Sequence, residues 1–193
     1  MSRASRVERT TKETRVLVDL SLDGGGSATA ETGLPFFDHM LQQLGTHAGF
    51  DLEIRASGDL EVDGHHTVED VGLALGQALR EALGDKRGIR RFASITVPLD
   101  EAAVEVALDL SGRPFVTHEV DVPAETIGTY DTGLTEDFVR AFATAAEMTI
   151  HVRLKAGRSP HHVVEAEFKA LATCLRDAVR IVGNDVPSTK GSL

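Results

Sequence analysis

Residues 38–59, DHMLQQLGTHAGFDLEIRASGD, lie without a gap over residues 136–157, EDFVRAFATAAEMTIHVRLKAG. In both stretches an apolar pattern with helical spacing gives way, at the same place, to the alternation of a strand. The likeness continues beyond the overlay, because GHHTVED (64–70) returns as PHHVVEA (160–166). A chain that repeats helix, strand and histidine pair in the same order is an internal duplication. Each half fills about half of the 193 residues.

Outward from the repeat, TRVLVDLSL (14–22) reads as a strand running into the glycine-rich DGGGS (23–27), with SATAETG (27–33) as its return strand. A helix begins at Leu34, FDLEIRAS (50–57) is a strand, and a long helix ends at Gly84. The second half gives strands in 91–100, 102–112 and 114–122, then a helix over 134–147, a strand over 149–155 and a helix from about 161 to 181. The expectation is an α+β fold, one domain of two similar halves (about 1–90 and 91–193). The first half reads β-β-α-β-α and the second β-β-β-α-β-α, a duplicated β-β-α-β-α module in which each small antiparallel sheet buries its helical layer against that of its twin.

With 41% hydrophobic residues and a net charge of −10, the chain suits a globular protein that repels nucleic acid and anionic membranes. A small ligand is the expected partner. Apolar runs fall short of the roughly 18 to 20 residues that span a bilayer, and the N-terminus lacks the apolar core of a signal peptide, so a cytoplasmic location is expected. The lone Cys174 excludes an internal disulfide and reads as a small apolar filler of a helix face.

On a helix, residues four apart lie about 40° from each other, so His65 with Glu69, and His161 with Glu165, form two-toothed claws. Adjacent residues diverge by about 100°, so His65 and His66 serve different ions. If the twin helices face each other, one site takes His65, Glu69 and His162, and the other takes His161, Glu165 and His66. Nitrogen and oxygen donors without sulfur suit Mn²⁺, Fe²⁺ or Zn²⁺. One such motif alone would read equally well as solvated polar residues at a helix start; two at matched places in a repeat favour metal.

GLPFFDHML (33–41), SGDLEVDGHHTVEDVGLALGQAL (57–79), KRGIRRF (86–92), VPLDEA (97–102), DLSGRP (109–114), HHVVEAEFKAL (161–171) and PSTKG (187–191) together resemble the imidazoleglycerol-phosphate dehydratases over nearly the whole chain. The resemblance implies a lyase (hydro-lyase) of histidine biosynthesis that converts imidazole glycerol phosphate to imidazole acetol phosphate and water. It implies two Mn²⁺ per active site and duplicated halves of the ribosomal protein S5 domain 2-like kind. It also implies trimers assembled into a particle of twenty-four subunits, with sites completed by neighbouring chains.

Carried over residue by residue, the resemblance puts His39, His66, His161 and Glu165 in one metal shell. The other holds His65, Glu69, His162 and position 137, a histidine in the family but Asp137 here, within TEDFV (135–139). Aspartate binds Mn²⁺ through oxygen, with shorter reach and added charge. Glu13 is the implied general acid or base. Gln43, His47 and Lys169 are implied substrate contacts. Arg91, Arg113, Ser188, Thr189 and Lys190 are the implied phosphate binders, offering charge-assisted hydrogen bonds.

The chemistry accounts for the metals. The hydrogen to be lost sits on a carbon with no neighbouring carbonyl, so electrons must come from the imidazole ring, and two cations favour its imidazolate form. A metal-dependent hydrolase or a metal-buffering protein would also use histidine clusters. The first leaves the paired arginines and PSTKG without a role, and the second leaves Glu13, Gln43 and His47 without one.

Overall fold

The computed structural model describes residues 3–121, 123–191 and 193; Val122, the end of the third strand-like run of the second half, lies outside them, as does Ser192 of the tail. The first half contains β1 (Ala4–Thr10), β2 (Thr14–Ser21), β3 (Ala28–Glu31), α1 (Pro35–Ala48), β4 (Asp51–Gly58) and α2 (His65–Leu83). The second contains β5 (Phe92–Leu99), β6 (Ala102–Asp109), β7 (Phe115–Glu119), the short pair β8 (Thr126–Ile127) and β9 (Tyr130–Asp131), α3 (Leu134–Ala145), β10 (Thr149–Ala156) and α4 (Pro160–Ala178). The strand orders, β1-β2-β4-β3 and β5-β6-β10-β7, are the same walk taken twice.

Two differences from the sequence reading concern the first sheet. Its leading strand is β1, which the module of two strands before the helix omitted. Only Val7 of β1 is buried, so the strand shows little alternation. DGGGS is not a hairpin turn, and β3 runs parallel to β4 instead of returning along β2. The loop instead wraps a carboxylate: the N–H groups of Gly25 and Ser27 donate to Asp51 at 2.9 and 3.0 Å. A Cβ on Gly24 would stand 2.3 Å from the Asp51 nitrogen, so glycine is needed for this approach. Each sheet is accordingly mixed, with one parallel edge pair, β3 on β4 and β7 on β10.

Helix boundaries follow local chemistry. Pro35 opens α1 and Pro160 opens α4, where a missing N–H costs no helical bond. Gly49 closes α1 with φ 71°, its N–H turned back to Gly45 and Thr46.

The four helices fill the space between the two sheets, and their pairing crosses the halves. α2 lies on β1 and β2 and packs against α3; α4 lies on β5 and β6 and packs against α1. Stacked and edge-on aromatics tie the halves at the centre, with Phe37 of α1 against Tyr130 and Phe138, and Phe138 against Phe142 and Phe168. The buried apolar side chains of both halves form one continuous core.

Buried charge also crosses the halves. His118 of β7 donates to Glu167 of α4 at 2.9 Å and lies 3.7 Å from Glu136 of α3. Burial works to lower the His118 pKa, but the bond to Glu167 and the charges of Glu167 and Glu136 hold it above the ordinary histidine value. Such a group stabilises the fold fully below its unfolded pKa of about 6.5 and ceases to do so as pH rises through the folded value. Denaturant midpoints should therefore fall as pH rises above about 6.5, and His118→Gln should flatten part of that slope.

The backbones of α2 and α3 approach closely. A Cβ on Gly76 would come 2.4 Å from the Phe142 carbonyl oxygen, and one on Gly72 3.0 Å from that of Phe138. Gly76→Ala should destabilise the protein by about 1–3 kcal/mol in urea unfolding, the range for forced overpacking. Gly25→Ala, with open space around it, should stay within about 0.5 kcal/mol.

Candidate active site

The crossed pairing decides which side chains meet. On the α1 and α4 side, His161 Nε2 lies 3.4 Å from Glu165, and Lys169 holds the other Glu165 oxygen at 2.6 Å. Burial pushes the Glu165 carboxyl up, but the Lys169 hydrogen bond and the charges of Lys169, His39 and His161 outweigh it and hold the pKa below the usual value. His39 projects from the exposed face of α1 into this group, with Gln43 and His47 along the same helix, 2.7 Å apart. Burial and the charges of Lys169 and Arg176 lower the His47 pKa, which favours a neutral ring. The edge of the His161 ring rests on Phe36, centroids 5.0 Å apart.

The α2 and α3 side repeats this arrangement. His65 Nδ1 lies 3.2 Å from Asp137, and Glu69 is exposed one turn beyond His65 on the same face. Asp137 thus stands toward His65 as His39 stands toward the His161 claw, as the internal overlay places it.

The sequence reading's third ligands do not join them within the chain. His162 was grouped with His65 and Glu69, and His66 with His161 and Glu165, on the supposition that α2 and α4 face each other. Instead α2 packs on α3 and α4 on α1, and the two histidines turn to other partners. His66 Nδ1 donates to Asp59 at 3.0 Å, and His162 Nδ1 donates to Glu101 at 2.7 Å. Among the described residues, no three His, Cys, Asp or Glu side chains gather closely enough to hold a metal ion. The donors present are nitrogen and oxygen in two matched half-shells, a set that fits Mn²⁺ chemically and lacks only further ligands.

Glu13 occupies the turn between β1 and β2, 3.9 Å from His66 Nδ1. Thr11 Oγ1 accepts the N–H groups of Glu13 and Thr14 within that turn. Buried Asp70 of α2 pins both flanks, taking Arg9 Nε at 2.7 Å and the Thr14 hydroxyl. The sequence reading missed Asp70, although its place beside Glu69 in HHTVED was the available signal. It also missed Asp59 and Glu101, the latter 61 residues from its histidine and beyond any local pattern.

Arg91, Arg113, Ser188, Thr189 and Lys190 share one cleft with Phe92, Pro187 and Leu193. Asp109 holds the Arg91 guanidinium at 2.6 and 3.0 Å, and the Pro187 carbonyl accepts a further N–H at 2.8 Å. The tail reaches the cleft along residues 88–91: Val182 donates to the Gly88 carbonyl at 2.7 Å, and Gly88 N–H to Asp185 at 2.9 Å. Composition alone would call this tail frayed.

The family model described as imidazoleglycerol-phosphate dehydratase matches residues 32–175. The chain belongs to the imidazoleglycerol-phosphate dehydratase family. It is 58% identical to the imidazoleglycerol-phosphate dehydratase of Parafrankia sp. (strain EAN1pec) and 56% identical to that of Frankia casuarinae, in each case over the full length of both chains. Among solved structures, the dehydratase of Staphylococcus aureus aligns with TM-score 0.83 at 35% identity, covering 92% of this chain and 99% of its own. That of Pyrococcus furiosus aligns with TM-score 0.84 at 36% identity, covering 97% and 100%. As a member of the dehydratase family the protein is a hydro-lyase. None of its described helices is long and apolar enough to cross a membrane.

Asp70→Ala removes the anchor of the turn that carries Glu13. If Glu13 is an acid or base of the reaction, kcat should fall by on the order of ten- to a hundredfold, the effect of misplacing a catalytic group by about 1 Å. Substrate KM should change little. Steady-state kinetics checks this, with Thr14→Ser, which keeps the hydroxyl, retaining most activity.

Proposed function

We propose that the protein dehydrates imidazole glycerol phosphate to imidazole acetol phosphate, a step of histidine biosynthesis in the cytoplasm, using two Mn²⁺ per active site. The observation that carries this reading is the meeting of Arg91, Arg113, Ser188, Thr189 and Lys190 in one cleft of a chain with net charge −10. Three cations and two hydroxyls converging there match a phosphate and little else that an acidic protein would attract.

The residues divide the work. The cleft fixes the phosphate end, with the Arg91 fork held in place by Asp109. His39, His161 and Glu165 on one side, and His65, Glu69 and Asp137 on the other, would hold the two ions; His66 and His162 would supply the remaining ligands. When bound, the ions would stabilise the imidazolate form of the substrate ring. Gln43, His47 and Lys169 line the α1 and α4 face, where they can orient the substrate. Glu13 would give a proton to the hydroxyl as it leaves the ring-bearing carbon as water and then take the proton from the next carbon. The enol so formed becomes the ketone when its hydroxyl proton is lost and the ring-bearing carbon gains one.

Because His66 and His162 turn away from the half-shells of their own chain, the shells are completed by other copies. The expected assembly is the family's trimer-based particle of twenty-four subunits. Metal binding and assembly are then one equilibrium.

Incubation with Mn²⁺ and imidazole glycerol phosphate should yield the ketone, chelation should abolish turnover, and added Mn²⁺ should restore it. Sedimentation of the stripped protein should show a smaller species. Full turnover by metal-free protein would refute the metal-based reading, and an unchanged size after verified metal removal would refute ligand sharing.

A further inference from the structure

We propose that Asp59 and Glu101 are positioning residues that fix the rings of His66 and His162 as outward-facing metal ligands. The four histidines of the two helices are not held alike. His65 and His161 face acidic side chains of their own half-shells, Asp137 and Glu165. His66 and His162 instead give Nδ1 to a carboxylate that belongs to neither half-shell. An Nδ1 that donates to a carboxylate carries the ring's proton, so Nε2 keeps its lone pair and faces away from that carboxylate. About a third of each of these histidine side chains is open to solvent, 34% for His66 and 35% for His162, so the free nitrogen is within reach of a second copy.

The two clamps are not inherited from the duplication. Asp59 follows β4 in the first half, and the overlay sets Gly157 opposite it. Position 157 has no room for a side chain: a Cβ there would lie 2.7 Å from Val163 Cγ2 and 3.2 Å from the Ala102 backbone. The second half draws its carboxylate from the neighbouring turn between β5 and β6. Glu101 takes the Ser159 N–H with Oε1 at 3.0 Å and His162 with Oε2, so it fixes the start of α4 together with the ring. Two different parts of the chain reach the same ring nitrogen at matched histidines. A surface ion pair left over from the repeat would not do so.

The inference rests on the metal reading above, and its test separates the two. Mn²⁺ is titrated into the full-length protein, Asp59→Ala, Asp59→Asn, Glu101→Ala and Glu101→Gln, with thermal unfolding to establish that each is folded. The ring tautomers of His66 and His162 are read by ¹⁵N NMR in the metal-free state. Each alanine variant should weaken one ion by about ten- to a hundredfold and shift its histidine from the Nδ1–H toward the Nε2–H form. Asn and Gln, which keep an acceptor oxygen, should restore most of both. Glu101→Ala and Asp137→Ala should weaken the same ion, and Asp59→Ala the other. Failure of the parent to bind Mn²⁺ would overturn the metal reading and the proposal with it. Parent-like affinities and tautomers in the alanine variants would overturn the proposal alone.

Discussion

Everything about the site depends on two helix pairs that cross from one half of the chain to the other. Gly72 and Gly76 let the backbones of α2 and α3 approach until a methyl group would collide with a carbonyl. The aromatic cluster around Phe37, Tyr130 and Phe138 anchors α1 and α3 between the halves. Interiors this dense resist small displacements, so the height at which His65 meets Asp137, or His161 meets Glu165, is set by the core and not by the polar residues themselves. The claws are an outcome of packing. The two sheets serve as scaffolds without contributing a claw residue.

Much of the fold was legible because it was written twice. Helix and strand periods in 38–59 and 136–157 support each other, and the histidine pairs mark equivalent helix starts. What escaped did so for physical reasons. β1 buries a single side chain, so its sequence carries almost no alternation. DGGGS has the composition of a turn, but it wraps the Asp51 carboxylate, and Gly24 leaves no room there for a side chain. The helix pairing within the chain was misread because a repeat suggests that like helices face each other, whereas here unlike helices pair. The cleft could not be assembled from composition at all: Arg91, Arg113 and Lys190 each look like an ordinary surface cation, and only the resemblance joined them.

Electrostatics and strain meet in that cleft. Arg91 has φ 74°, a left-handed conformation that costs a non-glycine residue on the order of 1–3 kcal/mol. It is held there by its N–H bond to Ala178 and by its carbonyl, which accepts from Leu110. The backbone spends stability to aim a guanidinium whose orientation Asp109 then completes. The same segment receives the tail, so the loop that presents one cation also brings Lys190 to face it.

A site formed by two copies of a half-length chain would be bound by its symmetry: any change to one ligand would appear in both shells. Fusion of the halves into one polypeptide removes that restriction. Asp137 takes the place of a second His39 while His39 itself is untouched, so a single codon alters the surroundings of one claw and leaves its twin as it was. The duplication therefore does more than double a module. It lets two claws with a common architecture drift apart in charge within a fold that still treats their helices as equivalent.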